Sequence, residues 1–259
     1  MSWRMVDEGW GRRAAEFAAL LEPSSVREYL VVHRRLGITE GDRLLDMACG
    51  AGLAIELAGL QGAVCSGIDA SHRLVEVARL RNPECDIRVG DMAESGFDDD
   101  SFDLVTSFRG IWGTTPAALA EVSRVLRPGG QVALTFWGDM AATPGGRLFA
   151  PFRLATEQQV AHQSEMVALK HPGAAERFLA DAGLEPGELF RVPFVLEFAD
   201  AEHYARALSS SGPAYEAIQT AGEEAFHAAC LEAARPFERA GVPIRAEISL
   251  WGIIGRAPK

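Results

Sequence analysis

Hydrophobic and polar residues in the middle of the chain follow two different periods. Short runs that are mostly apolar predict strands, and stretches with apolar residues at helical spacing, such as Leu74, Val77 and Ala78, predict helices between them. The predicted strands are 43–47, 63–68, 86–89, 103–108 and 131–137. Strands that alternate with helices over about 100 residues indicate an α/β fold with a parallel, doubly wound sheet.

The segments on either side of this region have a different pattern. In the first 40 residues we predict two helices that are separated at Pro23. Helical pieces are predicted from Gly146 to Asp181, followed by a strand from Phe190 to Phe198 in which every second residue is large and apolar. Three more helices come next, and the apolar run Ile248–Ile254 predicts a strand that is buried on both faces.

These patterns divide the chain into three segments. We expect a helical arm and cap at 1–40, a sheet-forming core at 41–137, and the rest of the sheet with helical insertions at 138–259. Insertions between late strands would lie over the carboxyl ends of the sheet, where open α/β folds bind their ligands.

Composition and charge narrow the classes of partner. The net charge of −11 is spread along the chain, and no segment is basic enough to bind a phosphate backbone, so we expect a small-molecule ligand and no nucleic acid. The four cysteines lack metal-ligand spacing, so no metal site is expected. The first 20 residues have no signal-peptide pattern, and no apolar run is long enough to span a membrane, which favours a cytoplasmic protein without membrane association.

The glycine-rich segment Asp46–Gly52 follows the first predicted strand and precedes a helix. Its pattern is D-x-A-x-G-x-G, with an acid at the strand end and no third glycine for helix packing. A nicotinamide or flavin site would have G-x-G-x-x-G at this point, so an oxidoreductase is the less favoured interpretation.

The segment resembles motif I of the class I S-adenosylmethionine (SAM) dependent methyltransferases, and four further elements support the resemblance. Asp69 lies 19 residues after Gly50, at the end of the second predicted strand. Gly90-Asp91-Met92 follows the third, Ser101–Val105 begins the fourth, and Arg127–Gly130 forms the turn before the fifth. The later part of the chain resembles the small-molecule branch of this family, which includes the ubiquinone and menaquinone methyltransferases and many natural-product methyltransferases.

The resemblance implies a Rossmann-like, mostly parallel sheet of seven strands with an antiparallel last strand and a helical cap. It also implies SAM as methyl donor and S-adenosylhomocysteine (SAH) as product. Asp46 would attract the methionine ammonium of SAM, Asp69 would accept from the ribose hydroxyls, and Asp91 would accept from the adenine amino group. The residues expected at the cofactor are Trp10, Asp46, Ala48, Cys49, Gly50, Gly52, Asp69, Ala70, Asp91, Met92, Ser107 and Phe108.

Two departures from the family pattern stand out. Ala48 replaces the first motif glycine, which requires a negative φ at that residue if alanine is to be tolerated. After the fourth strand, Ser107-Phe108-Arg109-Gly110 replaces the Asn/Asp-Pro-Pro-Tyr/Phe motif of the DNA and protein-amide N-methyltransferases. That difference argues against nucleobase and amide acceptors.

Methyl transfer from a sulfonium is an in-line displacement, so catalysis is largely positioning, and a base is needed only where the acceptor must lose a proton. His162 is the favoured base because it lies in the segment expected to cover the acceptor. Arg109 either pairs with an acidic group of the acceptor or stabilises the cap, and the sequence leaves both roles open. Trp112 and Trp137 follow strand ends, and at least one of them is expected to line an apolar acceptor pocket.

Two further alternatives stay open. The same fold could belong to a protein that binds SAM without transferring the methyl group, because no base is marked clearly by the sequence. The protein could be a monomer or a homodimer.

Overall fold

The computed structural model describes residues 6–112, 115–156 and 168–259 of the chain. A single sheet runs through it. Its eight strands are β1 (Arg43–Met47), β2 (Val64–Asp69), β3 (Asp86–Val89), β4 (Phe102–Phe108), β5 (Leu126–Trp137), β6 (Glu185–Pro186), β7 (Phe190–Phe198) and β8 (Ile244–Arg256). The order across the sheet is β3-β2-β1-β4-β5-β8, and both β6 and β7 pair with the far side of β8.

The first five strands are parallel, and β8 runs antiparallel to β5 from Gln131↔Arg256 to Trp137↔Leu250. The predicted α/β fold with a mostly parallel sheet and an antiparallel last strand is therefore confirmed. The structure has eight strands, one more than the seven predicted, because the two-residue strand β6 was not expected. Since β6 and β7 both pair with the same edge of β8, the sheet is still seven strands wide.

Helices occupy both faces of the sheet and its ligand-binding end. They are α1 (Ala14–Glu16), α2 (Val26–Leu36), α3 (Leu53–Gly59), α4 (His72–Arg81), α5 (Pro116–Val125), α6 (Ala174–Asp181), α7 (Ala201–Ser209), α8 (Gly212–Ala221) and α9 (Glu223–Ala234). Adjacent residues of β1 point to opposite faces: Leu44 packs with α2, α3 and α4, and Leu45 packs with α5 and α6. Burial on both faces explains why consecutive residues such as Leu44 and Leu45 are both apolar.

Residues 6–25, which we call the N-terminal arm, form several short helical pieces, whereas the sequence predicted one regular helix before Pro23. The arm consists of α1 and short π- or 3-10-helical pieces at Asp7–Gly11, Phe17–Leu21 and Glu22–Ser25, and α2 begins directly after Ser25. Pro23 lies in the last of these pieces, so the predicted break before the second helix is present.

The segment Pro144–Leu154, together with α7, α8 and α9, forms a cap at one end of the sheet. The segment packs against α8, α9 and β8, and the hydroxyl of Tyr204 on α7 donates a hydrogen bond to the carbonyl oxygen of Leu148. In the part of the chain that the structure describes, no helix has the length and apolar character needed to cross a membrane.

Candidate functional site

A cavity of about 770 Å³ lies at the carboxyl ends of β1, β2 and β4. The glycine-rich turn forms one wall, the N-terminal arm forms another, and the cap closes the opposite end. Parallel strands place their carboxyl ends at one edge, which is why residues far apart in sequence converge here.

The turn between β1 and α3 has three residues in the left-handed region. Their φ angles are +58° at Ala48, +55° at Gly50 and +80° at Gly52. The expectation of a negative φ at Ala48 is therefore wrong. A left-handed conformation costs a residue with a Cβ roughly 1–2 kcal/mol, so the methyl group of Ala48 needs favourable surroundings.

Gly110 provides that space. A Cβ built on Gly110 would lie 2.4 Å from the Cβ of Ala48 and 2.9 Å from Oγ of Ser107. The methyl group of Ala48 in the turn is thus accommodated by a glycine, Gly110, on the facing loop. The family motif has a glycine at the position of Ala48 instead.

We expect Gly110→Ala to lower the free energy of unfolding by about 1–3 kcal/mol, because the added methyl group overlaps Ala48. The double variant Ala48→Gly/Gly110→Ala should recover part of this loss. Urea denaturation measures both. Gly59→Ala on α3 is the matched control, because a Cβ there meets nothing within 4 Å. Equal stability of Gly110→Ala and Gly59→Ala would contradict the proposed pairing.

Asp46 is the next-to-last residue of β1 and lies in the cavity wall. Its Oδ1 accepts a hydrogen bond from Oγ1 of Thr106 on β4 at 2.7 Å. Burial raises the pKa of Asp46 to about 8, and the nearby carboxylates of Asp69 and Glu22 act in the same direction. A cation beside Asp46 would reverse this effect by favouring the carboxylate form.

Asp69 joins two parts of the site. Its Oδ2 accepts from the backbone N–H of Gly50 at 2.9 Å, and its Oδ1 accepts from the N–H of Ser71 at 2.8 Å. Burial raises the pKa of Asp69 despite these hydrogen bonds. Each carboxylate oxygen can accept a second hydrogen bond, and the residue lines the cavity, so both can also serve a ligand hydroxyl.

Most of the residues predicted at the cofactor line this one cavity. They are Trp10, Asp46, Ala48, Cys49, Gly50, Asp69, Ala70, Asp91, Met92 and Phe108. Two others lie behind the wall. Ser107 donates to the carbonyl oxygen of Met47 at 2.8 Å, and a Cβ on Gly52 would overlap Ala78 and Asn82 of the α4 region at 2.8 Å. Both shape the turn without facing the cavity.

The N-terminal arm covers the cofactor end. Trp10 packs edge-on against Phe17, with ring centroids 6.0 Å apart, and both line the cavity. Asp7 attaches the arm to the loop after β2, since Oγ of Ser71 donates to its Oδ1 at 2.5 Å and Arg73 forms an ion pair with it at 3.0 Å.

Glu22 is a cavity residue that the sequence analysis missed. It is buried and accepts hydrogen bonds from Arg81 and, at 3.4 Å, from the N–H of Leu53 at the start of α3. Arg81 also donates to the carbonyl oxygens of Ala51 at 3.0 Å and Ala18 at 2.8 Å. The pair fixes the arm to the glycine-rich turn. Burial raises the pKa of Glu22, and the charge of Arg81 opposes that shift.

Arg109 follows β4 with a φ of +59° and lines the cavity near the cap. Its Nε donates to both carboxylate oxygens of Glu28, at 3.2 and 3.1 Å, and its Nη2 lies 3.0 Å from Oε2 of Glu28 and donates to Oγ of Ser25 at 2.7 Å. Burial alone would lower the pKa of Arg109, but the charges and hydrogen bonds around it, those of Glu28 above all, leave it raised. These contacts tie Arg109 to the N-terminal arm and α2, and its predicted role in stabilising the cap stays a prediction. Pairing with an acceptor stays a prediction.

Aromatic side chains form the wall of the cavity at the cap end. Trp137 makes edge contacts with Phe149 at 5.4 Å and with Phe194 at 5.2 Å between ring centroids, and Phe149 stacks on Phe152 at 5.6 Å. Trp112 lines the cavity as well and donates from Nε1 to the carbonyl oxygen of Arg109 at 2.7 Å. This end of the cavity is mostly apolar, and the guanidinium of Arg109 brings a positive charge to it.

His162 lies outside the described residues. Among the described residues that line the cavity there is no histidine, and His33 is buried beside Phe108 with its pKa lowered to about 4 by burial. Within the described ranges no cluster of three or more histidine, cysteine or acidic residues could hold a metal ion.

Comparison with known proteins finds similarity to methyltransferases. Residues 45–134 match the family model described as a methyltransferase domain. The 27-O-demethylrifamycin SV methyltransferase of Amycolatopsis mediterranei is 29% identical over 198 residues, which cover 70% of each chain. A demethylmenaquinone methyltransferase of Mycobacterium sp. is 38% identical over 119 residues, which cover 44% of this chain and 48% of that one. The chain spans about half the length of the demethylmenaquinone methyltransferases that it matches.

Solved structures show the same fold. The phosphoethanolamine N-methyltransferase 2 of Haemonchus contortus, in complex with S-adenosyl-L-methionine, has a TM-score of 0.60 at 18% identity, covering 100% of this chain and 60% of that one. The fold is therefore the one found in this SAM-bound methyltransferase. Residues 45–134 of this chain match a methyltransferase domain, as the motifs predicted.

Proposed function

We propose that this chain transfers the methyl group of SAM to an O, N or C nucleophile of an organic small molecule, with SAH as the second product. One observation carries the proposal. A single cavity joins the glycine-rich turn and its acids to the aromatic residues of the cap. Its volume of about 770 Å³ lies high in the range of roughly 300–1,000 Å³ that is usual for ligand pockets, and therefore leaves room for an acceptor beside the cofactor.

The acids of the cavity suit SAM by their chemistry. Asp46 would attract the methionine ammonium, Asp69 would accept from the ribose hydroxyls, and Asp91 would accept from the adenine amino group. When bound, SAM supplies an electrophilic methyl group on a sulfonium, so the acceptor's electron pair forms the new bond while the bond from carbon to sulfur breaks. Trp10 and Phe17 would keep water from the cofactor end, and the protein acts mainly by holding the two partners in line.

The division into an arm and cap at 1–40, a cofactor-binding core at 41–137 and a cap-bearing remainder at 138–259 belongs to the same proposal. It is supported by the way the arm and the segment Pro144–Leu154 enclose opposite ends of the cavity. His162 stays the proposed base for acceptors that must lose a proton.

Incubation with methyl-labelled SAM and a panel of phenols, amines and enolisable ketones tests the proposed activity. We expect label in at least one acceptor class, and we expect Asp69→Ala to reduce its rate at low SAM concentration. A chain that binds SAM but labels none of the panel would favour the alternative of a non-catalytic SAM-binding protein.

The affinity for SAM should depend on pH through Asp46. The ammonium of SAM needs the carboxylate form, and the pKa of about 8 means that a proton must leave on binding at lower pH. We therefore expect affinity to rise between about pH 6 and about pH 8, by up to roughly tenfold per pH unit. Calorimetry in buffers of different ionisation enthalpy measures the released proton.

Asp46→Asn should bind SAM more weakly and lose most of this slope. The exposed turn residue Asp98 provides the control, since Asp98→Asn should keep the slope of the unmodified protein. An Asp46→Asn slope equal to that of the unmodified protein would show that another group titrates.

A further inference from the structure

The guanidinium of Arg109 has one nitrogen that the structure leaves uncommitted. Nε and Nη2 are used by Glu28 and Ser25, whereas Nη1 has no hydrogen-bond partner among the described residues. The side chain of Arg109 is 20% exposed, so part of it remains accessible to a ligand. Arg109 lines the cavity, and its guanidinium lies 5.1 Å from the ring centroid of Trp137 and 5.0 Å from that of Phe194.

The position of Arg109 is fixed from two sides. Its backbone N–H donates to both the carbonyl oxygen and Oγ1 of Thr135, each at 3.1 Å. Glu28, which is 0% exposed, holds the side chain and in turn accepts from Oγ1 of Thr135 at 2.5 Å. A left-handed φ at a residue other than glycine is usually retained where the surroundings determine it and where the site has a function.

The chemistry of the free nitrogen restricts what can face it. A guanidinium only donates hydrogen bonds, so Nη1 can bind an oxygen atom of a ligand but cannot bind an ammonium group. A carboxylate is best recognised by two parallel N–H groups, and the edge formed by Nε and Nη2 is already occupied by Glu28. What remains suits a single oxygen atom on an apolar, aromatic molecule, which matches the aromatic walls around it.

Building on the proposed methyl transfer, we propose that Arg109 binds the acceptor by donating from Nη1 to the hydroxyl oxygen of a phenolic or enolic compound, and that Glu28 is its positioning residue. The hydroxyl ionises beside Arg109 and its proton passes to water, so this class of acceptor does not require the proposed base His162. The electron pair left on the oxygen, or on the carbon conjugated with it, forms the bond to the methyl carbon while the bond from that carbon to sulfur breaks. Arg109 would favour the ionised oxygen, because its charge lies next to the developing anion.

A chromogenic nitronaphthol tests the proposal without methyl transfer, because its phenolate form absorbs visible light. The probe is titrated with pH while bound to the protein loaded with SAH. We expect the ratio of phenolate to phenol near the probe's midpoint to be roughly tenfold lower in Arg109→Met than in the unmodified protein. Glu28→Gln should raise the phenolate fraction, since it removes the negative charge that offsets Arg109. A merely structural role for Glu28 would not produce opposite shifts in the two variants.

Either single variant leaves one charge buried without its partner and could fail to fold. The double variant Glu28→Gln/Arg109→Met removes both charges together and therefore tests the proposal in that case. Its phenolate fraction should lie between those of Arg109→Met and the unmodified protein, because neither the guanidinium nor the carboxylate then faces the probe. Equal phenolate fractions in the double variant and the unmodified protein would overturn the proposal.

Affinity in the same SAH-loaded protein provides a second readout. We expect 2-naphthol to bind more tightly than 2-naphthoate or the 2-naphthylmethylammonium ion, and a preference for either charged compound would overturn the proposal. Calorimetry with SAH on the same samples distinguishes failure of the proposed methyl transfer from failure of the proposed role of Arg109. Loss of SAH binding in the unmodified protein would defeat the proposed function itself, whereas normal SAH binding with no effect of Arg109 on the probe would defeat this proposal alone.

Discussion

Replacement of Glu28 by alanine should lower the free energy of unfolding by about 3–5 kcal/mol, because it leaves the guanidinium of Arg109 buried without its carboxylate partner. Glu28 is 0% exposed and accepts from both Arg109 and Thr135, so three elements lose a shared contact: α2, the loop after β4, and β5. Urea denaturation followed by circular dichroism measures the change.

An exposed ion pair provides the matched control. Glu197 on β7 is paired with Arg27 at 3.4 Å and Arg245 at 3.3 Å, and its side chain is 41% exposed. Exposed pairs of this kind contribute at most about 1 kcal/mol, so Glu197→Ala should change stability little. If Glu28→Ala and Glu197→Ala destabilise the protein equally, the buried pair contributes no more to the free energy of unfolding than the exposed pair, contrary to this prediction.

The second large effect is on the cofactor. We expect Asp69→Ala to weaken the binding of SAM and SAH by about 1–3 kcal/mol, or roughly 5- to 150-fold, because a buried charged acceptor is lost. Two backbone donors, Gly50 and Ser71, also lose the carboxylate that orients the turn and the start of α4. Isothermal calorimetry with SAH measures the change without turnover.

Asp69→Asn should also weaken binding, because an amide in either orientation turns its NH₂ group toward one of these two donors. The exposed residue Asp98 again supplies the control, and Asp98→Ala should leave the affinity unchanged. Unchanged affinity in Asp69→Ala would remove Asp69 from the ribose site.

The fold was predictable where local patterns decide it. The predicted bounds of β1 and β3 agree with the structure, since apolar runs next to a polar or glycine-rich turn leave little freedom. β6 was missed because two residues carry no periodicity. β5 begins at Leu126, earlier than predicted, since Leu126 pairs with Phe102 before the register shifts at the turn that follows.

The site was predictable only in its local part. The motif acids and the glycine-rich turn could be identified because their spacing along the chain is short and characteristic. Glu22 pairs with Arg81 across 59 residues, and Glu28 with Arg109 across 81, and nothing near Glu22 or Glu28 in the sequence marks them as buried. The φ of Ala48 depends on the space left by Gly110, which is likewise a contact between distant segments.

Above all, we propose that this cavity binds SAM through the segment Asp46–Gly52 and the acids beside it. Calorimetry with SAM and SAH on the unmodified chain tests this claim most directly. The account predicts a single site with a dissociation constant on the order of micromolar for both compounds, weakened in Asp69→Ala. Absence of detectable binding for both SAM and SAH under conditions where the chain is folded would contradict it.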